Sequence, residues 1–259
     1  MESESSSRES IRENLLRIEE GMARAAMRAG RDPAEIALLA VSKKQSIDDM
    51  IFFHELLSER ARTVVFGESY VQEYRRKKSQ LPADCHCHMI GPLQSNKVRD
   101  AVALFDLIES VHKPETARLI SSEALRINRS MPVYFEVNIS RDPDKSGFLP
   151  EDLLAFVRLE LAGLSGLQVR GLMTITFDYG SPEAARADYH AMREFGFEFE
   201  QALNLSGIAY PAPLELSMGM SDDYEVAIEE GATVVRIGSA LFGARQTPDL
   251  SEVEGPYTS

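Results

Sequence analysis

Eight short apolar runs, each followed by a segment with helical periodicity, constrain this chain more than any other feature. The runs are Ile36–Ser42, Thr63–Phe66, His86–Ile90, Leu104–Ile108, Val133–Ile139, Leu167–Thr174, Pro213–Ser217 and Thr233–Ile237. The first is continuously apolar up to Ser42, the pattern of a strand buried on both faces within a helix-covered parallel sheet. Helical spacing occupies 48–57, 69–78, 95–103, 114–127, 150–161, 182–203 and 222–230, with Pro114, Pro150 and Pro182 near helix starts, where a missing N–H costs little. Strand then helix, eight times, predicts an α/β chain folded as a single (β/α)8 TIM barrel. From Leu38 to Val234 there are 196 residues across seven repeats, or 28 each, enough for a parallel crossover. A doubly wound sheet would want fewer strands and a glycine-rich turn after the first. Here the first strand runs into Ser42-Lys43-Lys44-Gln45.

A helix precedes the barrel. Ser10 and Glu13 resemble a capping box, Ile11, Leu15, Ile18, Met22 and Ala25 recur at helical spacing, and Gly30 suits the stop. The folded unit is expected over residues 8–245. The polar segments 1–7 and 246–259 are expected to be mobile tails.

The length of 259 residues suits one barrel of about 250. With 28 Lys and Arg against 41 Asp and Glu, the net charge is −13. That balance excludes a nucleic-acid or anionic-membrane surface, which needs clustered cations. It does not exclude one small anionic ligand. Cys85 and Cys87 are too close in sequence for an ordinary disulfide. The acidic start Met1-Glu2-Ser3-Glu4-Ser5 lacks the apolar core of a secretory signal, and no stretch approaches the roughly 18 apolar residues of a membrane helix. A cytoplasmic location is expected.

Barrel function collects at the C-terminal ends of strands. There stand Lys43 and Lys44; Phe66-Gly67-Glu68-Ser69-Tyr70; Gly171-Leu172-Met173-Thr174; Leu216-Ser217-Met218-Gly219-Met220-Ser221; and Arg236-Ile237-Gly238-Ser239. Barrels often bind phosphate with the loops after strands 7 and 8, and Ser217, Ser239, Gly219 and Gly238 fit hydroxyl donors and closely approaching backbone N–H groups. Tight βα turns alone would use the same residues. A lysine ending a buried strand is desolvated, which makes its amine a nucleophile toward an aldehyde. Adjacent strand residues point in opposite directions, so one of Lys43 and Lys44 is suited, and periodicity does not choose. Cys85-His86-Cys87-His88 resembles a metal tract, but on a strand the cysteines face one way and the histidines the other. No second cysteine pair exists, so no metal is expected. Asp222 and Asp223 fit a helix start.

Longer strings carry a family resemblance: Leu38-Leu39-Ala40-Val41-Ser42-Lys43, Phe66-Gly67-Glu68, His88-Met89-Ile90-Gly91-Pro92-Leu93-Gln94-Ser95-Asn96-Lys97, Lys145-Ser146-Gly147, Arg170-Gly171-Leu172-Met173, Ser217-Met218-Gly219-Met220-Ser221-Asp222-Asp223 and Val235-Arg236-Ile237-Gly238. Over residues 10–245 the chain resembles the pyridoxal-phosphate homeostasis proteins. The resemblance implies a barrel of the alanine-racemase N-terminal type that binds pyridoxal 5′-phosphate (PLP) as a Schiff base on Lys43. It implies that Ser217, Gly238 and Ser239 hold the phosphate, that Arg236 faces the pyridine nitrogen, and that Gly219, Met173 and His88 complete the cofactor site. An arginine partner leaves that nitrogen unprotonated and the ring a weaker electron sink. The family usually reads Phe-Gly-Glu-Asn-Tyr, and here Ser69 replaces the Asn.

The implied role is a monomeric carrier in PLP and vitamin B6 homeostasis, with apo PLP-dependent enzymes as partners. A PLP-dependent amino-acid racemase is the alternative. It needs a second acid–base group from a following domain, for which the residues after Arg245 are too few, unless Tyr70, Tyr179 or Tyr224 substitutes. A phosphosugar barrel enzyme using Lys43 without PLP is the third class.

Overall fold

A computed structural model describes residues 2–60 and 62–243, with side chains from residue 7 onward. Eight parallel strands close a barrel in sequence order: β1 (Ala37–Val41), β2 (Val65–Glu68), β3 (His86–Met89), β4 (Leu107–Val111), β5 (Met131–Glu136), β6 (Leu167–Met173), β7 (Glu215–Ser217) and β8 (Val234–Ile237). Closure is made by β1 on β8, with Leu39 opposite Arg236 and Ala40 opposite Ile237. The helices are α1 (Glu2–Arg28), α2 (Ile47–Ser58), α3 (Val71–Lys78), α4 (Val98–Leu104), α5 (Pro114–Arg126), α6 (Pro150–Leu159), α7 (Arg186–Leu205), α8 (Tyr224–Glu229) and α9 (Ser239–Phe242). Pro114 and Pro150 open their helices, and Pro182 opens a 3-10 turn ahead of α7.

The alternation of strand side chains sorts the core into two regions. Outward residues such as Ala40, Phe66, Ile108, Phe135, Leu172 and Ile237 pack against the helices in one large cluster. Leu107, Tyr134 and Met173 form a separate, smaller cluster in the lumen. The lumen also holds charged residues, among them Glu109 and Arg236, which position the site described below.

Several boundaries differ from the sequence reading, two of them for clear physical reasons. Helix α1 begins at Glu2, not at Ser10, so residues 2–7 are helical and do not form a tail. Ser7 Oγ donates to Asp49 Oδ1 of α2 at 3.0 Å. The expected tail 246–259 lies outside the described residues. Strand β4 starts three residues later than the apolar run, because Leu104 closes α4 and buried Phe105 packs with Tyr74.

Phe135 joins β5 to three other rings at centroid distances of 5.9–6.0 Å: Phe148, Phe156 and Phe199. It is fully buried between barrel and helices. Phe135→Ala is expected to lower the unfolding free energy by about 3–5 kcal/mol, read as a fall in the urea midpoint with the slope unchanged.

Candidate functional site

Strand β1 ends at Val41, and the ladder continues one residue further through Ser42 N–H, which donates to Gly67 O at 3.0 Å. The chain then turns through Lys43 and Lys44 before Ser46 caps α2, its Oγ accepting from Asp49 N at 3.1 Å. Lys43 is half-buried and Lys44 exposed, so the structure separates the two lysines that periodicity left equivalent. Lys44 adopts a left-handed conformation, φ 61°, which costs a non-glycine residue about 1–3 kcal/mol. The carboxylate of Glu73 offsets this by accepting the Lys44 backbone N–H at 2.6 Å.

The same turn is gripped from behind the barrel wall. Lys77 on α3 is buried and donates to Ser42 O at 2.9 Å, to Glu68 Oε1 at 2.9 Å and to Glu73 Oε1 at 2.6 Å. Glu68 Oε1 also accepts from Ser42 Oγ at 2.8 Å. Glu68 is fully buried and its Oε2 has no partner. Burial pushes the Glu68 carboxyl above its ordinary range, and Lys77 opposes that rise. The turn bearing Lys43 is thus held by three charged side chains from β2 and α3. Neighbouring Ser69 lies against the turn after β3, where a Cβ at Gly91 would come within 2.6 Å of the Ser69 Cβ.

Inside the lumen, Arg236 of β8 is 4% exposed. It donates to Ser217 Oγ at 2.8 Å and to Thr174 O at 2.7 Å. Ser217 Oγ in turn donates to Glu109 Oε2 at 2.6 Å, and Glu109 Oε1 meets His88 Nδ1 at 2.7 Å. Glu136, ending β5, faces the Arg236 charge. Burial pushes its carboxyl up to about 7, against the pull of Arg236.

The loops after β7 and β8 close the site. Gly219 has φ +89°, and a Cβ there would lie 2.5 Å from the Ala227 Cβ, so glycine is required. Its carbonyl accepts the Arg236 backbone N–H at 3.0 Å. Gly238 approaches β1, where a Cβ would come 3.3 Å from the Val41 Cβ. The N–H groups of Gly238 and Ala240 converge on Ser221 Oγ, each at 3.3 Å. These long contacts leave two amides at the start of α9 aimed at one acceptor position, beside exposed Ser239.

The expected site residues therefore fall in three tiers. Lys43, Gly238 and Ser239 stand at the C-terminal end of the barrel. Arg236, Ser217 and Met173 lie beneath, with Met173 opposite Ser217 in the β6–β7 register. His88 lies lower still, lining a cavity of about 300 Å³ with Leu39, Val65, Leu107, Tyr134 and Val234. That cavity belongs to the N-terminal end of the strands, away from Lys43. Ser217, expected at the phosphate, hydrogen-bonds in this structure with Arg236 and Glu109. Gly219 acts through packing and through its carbonyl. The amides of Gly238 and Ala240 both point to Ser221 Oγ.

The family model described as "Alanine racemase, N-terminal domain" matches residues 10–246. A pyridoxal phosphate homeostasis protein of Pseudomonas aeruginosa (strain PAO1) is 40% identical over 241 residues, covering 91% of this chain and 96% of the relative. Another, of Aquifex aeolicus (strain VF5), is 37% identical over 235 residues, covering 90% and 98%. The chain belongs to the pyridoxal phosphate homeostasis protein family. Among solved structures, PipY of Synechococcus elongatus PCC7942 with PLP bound superposes with a TM-score of 0.70 at 34% identity, covering 86% of this chain and 100% of PipY.

Several residues of this homeostasis-family chain were given no role from its sequence: Glu109, Glu136, Thr174, Ser221 and the Glu68–Glu73–Lys77 cluster. Glu109 and Glu136 carry a readable signal, a carboxylate within a buried strand. Glu73 and Lys77 are spaced i, i+4 and read as an ordinary surface pair.

Two outcomes follow from these buried charges. Lys77→Met strands Glu68 and Glu73, and is expected to cost about 3–5 kcal/mol at pH 8. The loss is expected to shrink as pH falls, because burial favours the protonated Glu68 carboxyl; urea denaturation at pH 8 and at lower pH reads the difference. Glu136 holds its proton more tightly folded, at about 7, than unfolded, at 4.5. Its contribution is full below pH 4.5 and is lost as pH rises to 7. Glu136→Gln removes that loss, so the variant gains up to about 3 kcal/mol over wild type at pH 8 and almost nothing at pH 4.

Proposed function

We propose that this protein binds PLP at the C-terminal end of its barrel, with Lys43 as the amine that holds the cofactor aldehyde, and acts as a reversible PLP carrier in cofactor homeostasis. The observation that carries this reading is the alignment of a half-buried lysine, a buried guanidinium and a pair of convergent amides on adjacent strands β1 and β8. The amides of Gly238 and Ala240 suit a phosphate at a helix start. The Arg236 guanidinium, anchored by Ser217 and Thr174, suits a neutral ring nitrogen. When bound, PLP supplies an aldehyde carbon and an electron-withdrawing ring.

The chain's own residues favour holding over turnover. Arg236 cannot give up its proton, so it does not protonate the ring nitrogen. Of the tyrosines that might serve as a second base, Tyr179 donates to Asp188 Oδ2 at 2.8 Å and is pushed up to about 12. Burial raises Tyr224 as well. Both stay protonated near neutrality. A site that restrains its lysine and offers weak proton transfer suits storage and release. The same proposal includes action as a monomer, delivery to apo PLP-dependent enzymes and a cytoplasmic location. Cys85 and Cys87 are both unbridged, which suits a reducing compartment.

The test is an absorption spectrum before and after borohydride reduction, with peptide mapping. The expected result is a yellow protein whose label, once reduced, maps to Lys43 and is lost in Lys43→Ala. A label retained at another residue, or a colourless protein after PLP addition, overturns the reading. Loss of α-deuterium from L-alanine well above the free-PLP rate would replace the carrier by a racemase.

A further inference from the structure

We propose that His54, Asp84 and Cys85 form a binding site for a divalent cation of the zinc class on the outer wall of the barrel. Asp84 and Cys85 lead directly into β3, and His54 lies on α2. The site therefore belongs to the N-terminal ends of the strands, away from the turn that carries Lys43.

The geometry rests on two elements. His54 Nε2, Asp84 Oδ1 and Ser58 Oγ already cluster: Nε2 lies 3.0 Å from the carboxylate and 3.3 Å from the hydroxyl. One ligand atom from each of His54, Asp84 and Cys85 lies within 4.8 Å of the others, and among the described residues no other such group of three gathers. Zinc bonds of about 2.0–2.3 Å in tetrahedral geometry put neighbouring ligand atoms roughly 3.5 Å apart. The side chains need only draw together by about an ångström. His54 is 8% exposed and fixed in the helix layer, whereas the Asp84 side chain is 72% exposed and leaves an entry path.

The donor set selects the ion. One imidazole nitrogen, one carboxylate and one sulfur suit zinc and exclude magnesium and calcium, which take oxygen ligands. Binding displaces one proton, from the Cys85 thiol. The carboxylate and thiolate then balance the dication, and water fills the fourth position. An activated-thiol reading fits less well. The neighbouring Asp84 carboxylate and burial both disfavour a bare Cys85 thiolate, and a divalent cation reverses that preference.

The Cys85-His86-Cys87-His88 tract gave a hint with the wrong partners. Cys87 is fully buried and His88 turns into the lumen toward Glu109. Cys85 instead meets residues from outside the tract. A bound ion would brace α2, which begins directly after the Lys43 turn, against the approach to β3.

The experiment titrates the full-length protein with zinc alone, by calorimetry, and with cobalt, by absorption. One equivalent of zinc is expected to bind and to raise the melting temperature. Asp84→Asn and Cys85→Ser should each weaken it by about tenfold or more. Cobalt should give a thiolate charge-transfer band that Cys85→Ser abolishes, and zinc should protect Cys85 from alkylation. Absence of stoichiometric uptake overturns the proposal, as does uptake that persists unchanged in either variant. Asp84 is exposed, so its variant carries the test even where Cys85→Ser folds poorly.

Discussion

A guanidinium buried in a barrel lumen must be compensated, and the arrangement around Arg236 meets that demand. An isolated buried charge costs several kcal/mol even after relaxation. Here Ser217 and Thr174 O accept from it directly. Ser217 Oγ donates a hydrogen bond to Glu109, so a carboxylate stands one hydroxyl away. Glu136 adds a second acidic group within reach of the same charge. Because these groups come from β4, β5, β6, β7 and β8, satisfying one arginine fixes the mutual register of more than half the barrel wall. The cofactor-facing end inherits its rigidity from that requirement.

The lysine is held by a different logic. Arg236 is fixed from within the lumen, whereas the turn at Lys43 is fixed from outside the wall, by Glu68, Glu73 and Lys77. None of those three needs to touch the ligand. They determine where the Lys43 backbone lies. Gly238 joins the two systems, since a Cβ there would crowd Val41 Cβ at 3.3 Å. In the proposed function, the lysine and the guanidinium thereby come from neighbouring strands of opposite chain ends.

The eight strands were legible because a parallel barrel buries both strand faces, and apolar runs record that burial. The reading weakened where the lumen is polar. Glu109 and Ser110 interrupt the apolar run of β4, so the run was placed three residues early, over residues that close α4. The early part of α1 was missed for a related reason: Ser-rich polar sequence reads as a tail, while the helix it forms is anchored by Ser7 on Asp49. Of the site, Lys43, Arg236 and the two glycine turns were visible from strand ends and family strings. Ser217 was placed at the phosphate because a serine hydroxyl can donate to an anion. Its actual partners depend on Glu109, across the barrel, and no local pattern encodes that neighbour.

The acidic balance of the chain fits the same picture. Many of the carboxylates behind its net charge of −13 meet arginines in exposed pairs such as Arg28 with Glu225 and Glu229, and Arg118 with Glu160. Such pairs contribute little each, and their field is screened within about 8 Å at physiological salt. Under the proposed function, a phosphate entering the barrel mouth would meet Lys43, the Gly238 and Ala240 amides and, beneath them, Arg236. These lie in a region of lower dielectric, where each positive or donor group counts for more. Local desolvated donors therefore outweigh a larger but solvated negative charge, and the same exterior discourages polyanions from competing for the site.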